Sequence, residues 1–206
     1  MADKPTNYVT WLPRVSSIVE WVYPFGWDER ERFLDWLWEK DVELEDYMKE
    51  ASTWGTYVHA SLEKYLKTWE WNGRKYKNLV EFWIQFIKDY DVKPIETEKY
   101  VKCRDYQGTC DLIAEIDWEK WILDWKTYWL AKTKFWIATS KYRKPTDKLK
   151  KARLQLNLYW KVLKIDKFAV VELTEFGYKF YPLEKMEKKE LDWIIKEFKL
   201  NYVDEL

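Results

Sequence analysis

The chain has 206 residues, and its 36 Lys+Arg are matched by 36 Asp+Glu, so net charge names no polyanionic partner. That length suits one domain with a sizeable core, expected to span 1–206. No apolar run is long enough to cross a bilayer and Met1 to Pro5 does not read as a secretory signal, so a soluble, cytoplasmic protein is expected.

Aromatic residues make up 19% of the chain, with 16 tryptophans, most of them expected in the core. Lys and Glu abound while Gln occurs only at 85, 107 and 155, a usage that points to a thermophilic source. Cys103 and Cys110 are expected as reduced thiols.

In chain order, Ser16 or Ser17 is expected to cap a helix carrying Ile18, Val19 and Val22 that ends before Pro24. Residues 28–39 read as an amphipathic helix with Phe33, Leu34, Trp36 and Leu37 on its apolar side. A shorter helix is expected over 42–51. Ser52 or Thr53 then caps a helix over 55–66, where Gly55, His59 and Glu63 are spaced four apart and share one face. A glycine inside a helix costs about 1 kcal/mol relative to alanine, which suits a place where a backbone or ligand comes close. His59 is the single histidine of the chain. On its own it reads as a hydrogen-bonded helix residue before it reads as a ligand.

Asn72-Gly73 signals a turn, 79–90 a helix with Val80, Phe82, Trp83, Phe86 and Ile87 inward, and 95–102 a strand. On that strand Glu96 and Glu98 alternate with their neighbours, as solvated edge residues or as members of a site. Cys110 to Ile116 and Trp121 to Thr127 then form a β-hairpin closed by a turn over 117–120. Its charges are out of place. Asp111 opens the first strand, and Asp124 and Lys126, two apart, project from the same face of the second. Charged groups inside an apolar strand need partners or a metal.

Residues 128–146 show no clear periodicity but hold Trp129, Trp136, Lys132, Lys134, Lys141, Arg143 and Lys144. Lys148, Lys150, Lys151 and Arg153 follow, opposed only by Asp147. Such a run is often a solvated face. Cations mixed with large aromatics also compose a surface that tracks phosphates while stacking bases, and nucleic-acid contact is expected here. Residues 147–164 form a helix that puts Lys148, Lys151, Gln155 and Tyr159 on one stripe, with Gln155 set among leucines. Strands at 168–174 and 178–181 and a helix over 185–202 with Leu191, Ile194, Ile195 and Phe198 inward complete the chain. There is no internal repeat.

Asp111 followed at a distance by Asp124-Trp125-Lys126 resembles the signature of the PD-(D/E)XK nuclease superfamily. Gly55-x-x-x-His59, Glu98, Gly108-x-x-Asp111 and Gln155-x-x-x-Tyr159, in that order, resemble its RecB-like branch, which includes phage and archaeal-virus exonucleases. The resemblance implies an α/β (α+β) fold, a restriction-endonuclease-like core with a mixed sheet flanked by helices. A helical part would occupy 14–92 and the catalytic core 93–206.

It further implies Asp111, Asp124, Lys126, Gln155 and Tyr159 as catalytic residues. One or two Mg²⁺ or Mn²⁺ ions would be held by His59, Asp111, Asp124, the main-chain carbonyl of Trp125 and Glu98. Lys132, Lys134, Lys141, Arg143, Lys144, Lys148 and Lys151 would contact DNA. No cysteine follows Gln155, so no iron–sulfur cluster is expected. The implied activity is a DNA nuclease leaving 5′-phosphate ends, an exonuclease or single-strand nuclease of replication, recombination or repair. A helicase or recombinase would supply any unwinding, and a viral chain would work in the host cytoplasm. The alternatives are a structure-specific or restriction-type endonuclease, and a catalytically silent nucleic-acid-binding protein.

Overall fold

Two residues with left-handed backbone, Asp117 (φ 51°) and Trp118 (φ 65°), turn the chain between β2 (Gln107–Ile116) and β3 (Glu119–Lys126). Positive φ at both central residues is what a two-residue hairpin turn requires for its twist to match that of the strands. The turn is therefore tighter than the four residues expected, and Glu119 and Lys120 already pair with Ile116 and Glu115. The computed structural model in which this hairpin sits describes residues 12–24, 34–35, 37–39, 41–71, 73, 77–127, 145–174 and 177–203. The basic and aromatic stretch with Lys132, Lys134, Lys141, Arg143 and Lys144 lies outside the described residues, as do Asn72 of the expected turn and most of the expected 28–39 helix.

β1 (Lys93–Lys102) runs antiparallel to β2 on its outer side, and β4 (Lys167–Thr174) runs parallel to β3, followed by antiparallel β5 (Gly177–Pro182). The order β1-β2-β3-β4-β5 makes a five-stranded mixed sheet. Pro94 lies inside β1 and not before it, which an edge strand tolerates because proline lacks only an outward donor. A parallel β3–β4 pair needs a long crossover, and the chain makes it through α4 (Pro145–Leu163).

Helices cover both faces. On one, α1 (Val15–Val22), α4 and α5 (Lys188–Val203) bury Val15, Ile18, Leu154, Leu158, Leu191 and Phe198 against Ile113, Ile122, Phe168 and Val170. On the other, α2 (Leu44–Thr68) and α3 (Lys77–Asp89) bury Val58, Leu62, Val80, Trp83 and Phe86 against Leu112, Leu123, Trp125, Ala169 and Val171. The alternation of strand side chains sorts Ile122, Leu123 and Trp125 between the two cores. This is an α+β fold with a restriction-endonuclease-like core, as the sequence led us to expect. Among the described residues no helix is long and apolar enough to cross a membrane.

Among the helices, three boundaries differ from expectation for reasons the side chains show. Arg14 precedes α1, so Ser16 and Ser17 lie inside it. The two helices expected over 42–66 are one 25-residue helix, α2. Its interior Thr53 donates its hydroxyl to the Lys49 carbonyl at 2.7 Å, satisfying itself within the helix instead of starting a new one. The closing helix begins at Lys188 instead of Lys185, because buried Asn157 holds the segment before it: its side chain accepts from the Met186 N–H at 2.8 Å and donates to the Glu184 carbonyl at 3.3 Å. Both cysteines are free thiols.

Candidate active site

Pairing between β2 and β3 ends at Leu112–Leu123, which leaves Asp111 and Asp124 facing each other one residue beyond the ladder. Like charges directly opposite oppose pairing, so the strands stop bonding where the two aspartates begin. On the other side of β2, Thr97 pairs with Leu112 and Lys99 with Cys110, while Glu98, opposite Asp111, is skipped. Glu98 has φ 50°, left-handed backbone in the middle of a strand. A non-glycine residue there costs of order 1–3 kcal/mol, and such strain collects at functional sites. Three carboxyls thus line up across three strands at the positions where the ladders fail.

α2 brings His59 to this row. One ligand atom each from His59, Glu98 and Asp111 lie within 4.8 Å of one another. Trp125 ties two of the three together. Its main-chain N–H donates to Asp111 Oδ2 at 3.1 Å, and its indole N–H donates to His59 Nδ1 at 3.2 Å. Asp111 Oδ1 stands 4.0 Å from the same imidazole nitrogen. Burial, with Lys126 adding to it, pushes His59 down to about 4, so the ring is neutral at physiological pH, as a metal-binding imidazole must be.

On the α4 side, Lys126 Nζ lies 2.7 Å from the Asp124 carboxylate and 3.5 Å from Gln155 Oε1, and Gln155 Nε2 donates to Asp124 Oδ1 at 3.1 Å. Asp124 Oδ2 is buried, and the same ammonium stands 2.7 Å from it. Tyr159 stands beside Gln155, close to Asp111 and Asp124. Its hydroxyl donates to the Thr109 carbonyl at 2.7 Å, and its ring packs on Gly108, where a Cβ would meet Tyr159 Cε1 at 2.9 Å and Val15 Cγ2 at 3.1 Å. Tyr159 therefore positions the strand that carries Asp111. Gly108→Ala should destabilise the fold by about 1–3 kcal/mol through overpacking, read as a lower midpoint in chemical denaturation.

The electrostatics favour a cation. Burial first, then Asp111 and Glu63, pushes Glu98 up to about 7. Burial likewise pushes Asp124 up to about 6, against the pull of Lys126, and raises Asp111. Oxygen donors with one neutral imidazole suit Mg²⁺ or Mn²⁺, and three carboxyls that burial holds above their ordinary values fit a site built around positive charge.

A pH dependence follows. The unfolded chain releases these carboxyl protons at ordinary values near 4, whereas the fold holds them to about 6 at Asp124 and about 7 at Glu98. Across that window the native state binds more protons, so stability falls as pH rises. His59, lowered to about 4, acts in the opposite sense up to its ordinary 6.5, and one imidazole opposes three carboxyls. In chelator, calorimetry should show a lower Tm at about pH 7.5 than at about pH 5, and Mn²⁺ should remove the drop.

The structure brings His59, Glu98, Asp111, Asp124, Lys126 and Gln155 together and places Lys151 on the same helix as Gln155, one turn toward its start. Gly55, on the His59 face, has no described atom within 4 Å of where a Cβ would be, so no packing inside the described protein calls for a glycine. The Trp125 indole was not foreseen. Period-two alternation turns Trp125 away from the Asp124–Lys126 face, but only the packing of α2 on that opposite face brings His59 there.

No family model matches the chain, and no curated protein does. Solved structures similar to it include a protein named SSO0001, 13% identical with a TM-score of 0.48, covering 94% of this chain and 77% of the other. A phage-related exonuclease from Haemophilus somnus 129PT is 16% identical with a TM-score of 0.43, over 90% of this chain and 89% of the other. The alkaline exonuclease LHK-Exo from Laribacter hongkongensis, in complex with dAMP, is 10% identical with a TM-score of 0.46, over 94% and 89% of the two chains.

Proposed function

We propose that this chain is a Mg²⁺- or Mn²⁺-dependent DNA nuclease that hydrolyses phosphodiester bonds to leave 5′-phosphate ends, acting as an exonuclease or single-strand nuclease. The observation that carries the reading is the row Glu98, Asp111, Asp124, joined by a neutral His59 and by Lys126 against Asp124. A structural ion-pair network would balance its charges. Here, among the described residues, Glu63, Glu98, Asp111 and Asp124 outnumber the ammonium groups of Lys67 and Lys126 that act on them, an arrangement that costs stability unless something cationic completes it.

His59, Glu98 and Asp111 would hold the cation, with Asp124 and the Trp125 carbonyl as further donors. When bound, it supplies Lewis acidity to a phosphate oxygen and lowers the pKa of water. The protein does the rest. Lys126, a compact charge fixed by Asp124 and Gln155, orients the attacking water and stabilises the charge that grows on the phosphoryl oxygens. Water attacks phosphorus in line with the departing 3′ oxygen and gives up its proton to solvent. As the P–O3′ bond breaks, the 3′ oxygen takes a proton from solvent water and leaves as a hydroxyl, and the phosphate stays on the 5′ oxygen of the downstream nucleotide. Tyr159 and Gly108 hold Asp111 in register. Lys148, Lys151 and the basic residues Lys132, Lys134, Lys141, Arg143 and Lys144 would track the DNA backbone.

End-labelled single-stranded, duplex, branched and circular DNA, each with Mg²⁺, Mn²⁺ or chelator, tests the proposal. Cation-dependent release of 5′-phosphorylated products is expected, and loss of activity on circles would mark an exonuclease. Absence of cleavage of every substrate in both metals would overturn it in favour of a silent binding protein.

A further inference from the structure

A neutral imidazole has one lone pair in the ring plane, and in this structure that pair is in use. Trp125 donates its indole N–H to His59 Nδ1 at 3.2 Å, so Nδ1 is the bare nitrogen and Nε2 carries the proton. The donor is held firmly. Trp125 is 1% exposed and packs edge-on against fully buried Trp83, with ring centroids 5.3 Å apart at 88°. The imidazole and indole rings also meet edge to face, at 6.0 Å and 68°.

We propose that Trp125 is a positioning residue that competes with the divalent cation for His59, and so sets cation affinity and choice. The inference rests on the reading of His59, Glu98 and Asp111 as a cation site. Whichever ring nitrogen takes the cation, the imidazole surrenders the indole bond. If Nδ1 ligates, its lone pair leaves Trp125. If the ring turns to present Nε2, then Nδ1 carries the proton and faces another N–H. Asp111, held by the main chain of the same tryptophan, keeps its hydrogen bond in either case.

Cations with strong affinity for imidazole recover the cost of breaking the bond, and oxygen-preferring cations do so less well. Without the indole donor, ions should bind tighter, most of all those that use the ring. A net hydrogen bond of ordinary strength corresponds to about two- to tenfold in affinity.

His59 is the sole histidine, so its ring nitrogens are read without ambiguity by ¹⁵N NMR of the intact chain. In the cation-free wild type, Nε2 should be protonated and Nδ1 bare; a protonated Nδ1 overturns the inference with no variant needed. Calorimetric titration then compares wild type, Trp125→Phe, His59→Ala and the double variant. Trp125→Phe should bind Mn²⁺ about two- to tenfold tighter, with a smaller gain for Mg²⁺, and the gain should vanish in the His59→Ala background. Equal gains for both ions, or a gain that survives without His59, would mean a packing effect and overturn it. If wild type binds Mn²⁺ and His59→Ala weakens it while Trp125→Phe changes nothing, the competition fails and the cation site stands. If wild type binds neither ion, the cation site itself fails, and the inference falls with it.

Discussion

Asp111→Asn is expected to lower Mn²⁺-supported cleavage by about a thousandfold, the rate equivalent of the several kcal/mol that a correctly held cation contributes to a phosphoryl transition state. Asp111 is the residue on which the site converges. It faces Asp124 on one strand and Glu98 on another, lies 4.0 Å from His59 and accepts the Trp125 N–H. Asparagine has the same shape and keeps an oxygen for that N–H, so the change removes charge and little else. Burial holds the Asp111 carboxyl above its ordinary range, which means its ionised form works against the fold at neutral pH. The variant should therefore be as stable as wild type or more so in chelator, while gaining less stability from Mn²⁺. Cleavage of a labelled oligonucleotide and thermal unfolding with and without Mn²⁺ check both halves. Activity within tenfold of wild type would remove Asp111 from the site.

Lys126→Gln should cost roughly a hundredfold to a thousandfold in cleavage, the range seen when one donor to developing negative charge is removed. Unlike Asp111→Asn, it should leave Mn²⁺ affinity intact or improved. Lys126 is paired with Asp124 at 2.7 Å, and it competes electrostatically with any ion that the carboxyls attract. The split between retained binding and lost turnover distinguishes a residue that acts on the reacting phosphate from one that holds metal. Equal losses in binding and rate would place Lys126 among the structural supports of Asp124. Since Lys126, Asp124 and Gln155 share hydrogen bonds, the double variant Asp124→Asn/Lys126→Gln should lose far less than the product of its single losses.

Much of the site was legible because charged residues stood where local pattern called for apolar ones. Asp111, Asp124 and Lys126 interrupt a hairpin that otherwise alternates cleanly, and Gln155 sits among leucines. The choice of Glu98 over Glu96 came from spacing to a family motif, not from alternation. What decided its geometry, a left-handed residue where the ladder skips a pair, leaves no trace in residue type, since nothing about a glutamate announces positive φ. A second contact of Tyr159 is just as invisible in the sequence. Stripe periodicity puts the residue on the face of Gln155, but the reach of its hydroxyl to Thr109 depends on how α4 crosses β2.

Boundaries failed where side chains satisfied themselves locally. Ser52 and Thr53 look like helix starts because their hydroxyls can cap orphan N–H groups, yet Thr53 bonds back to Lys49 and α2 runs on. Stability of a long amphipathic helix comes from the packed face, and Val58, Leu62, Tyr65 and Leu66 supply that face without interruption.

By itself, then, the amino-acid order determined the alternating strands, the helix faces, the hairpin and the misplaced charges, because these depend on periods of two and about 3.6 residues along one segment. It also placed His59 and Asp111 on separate elements with nothing local to join them. That His59 meets Trp125, that Glu98 turns inward, and that three carboxyls fall in one row where one ladder ends and another skips a pair, were decided only when five strands and two helical layers packed. Those contacts join residues dozens of positions apart, and their energies exist only once the chain is closed around them.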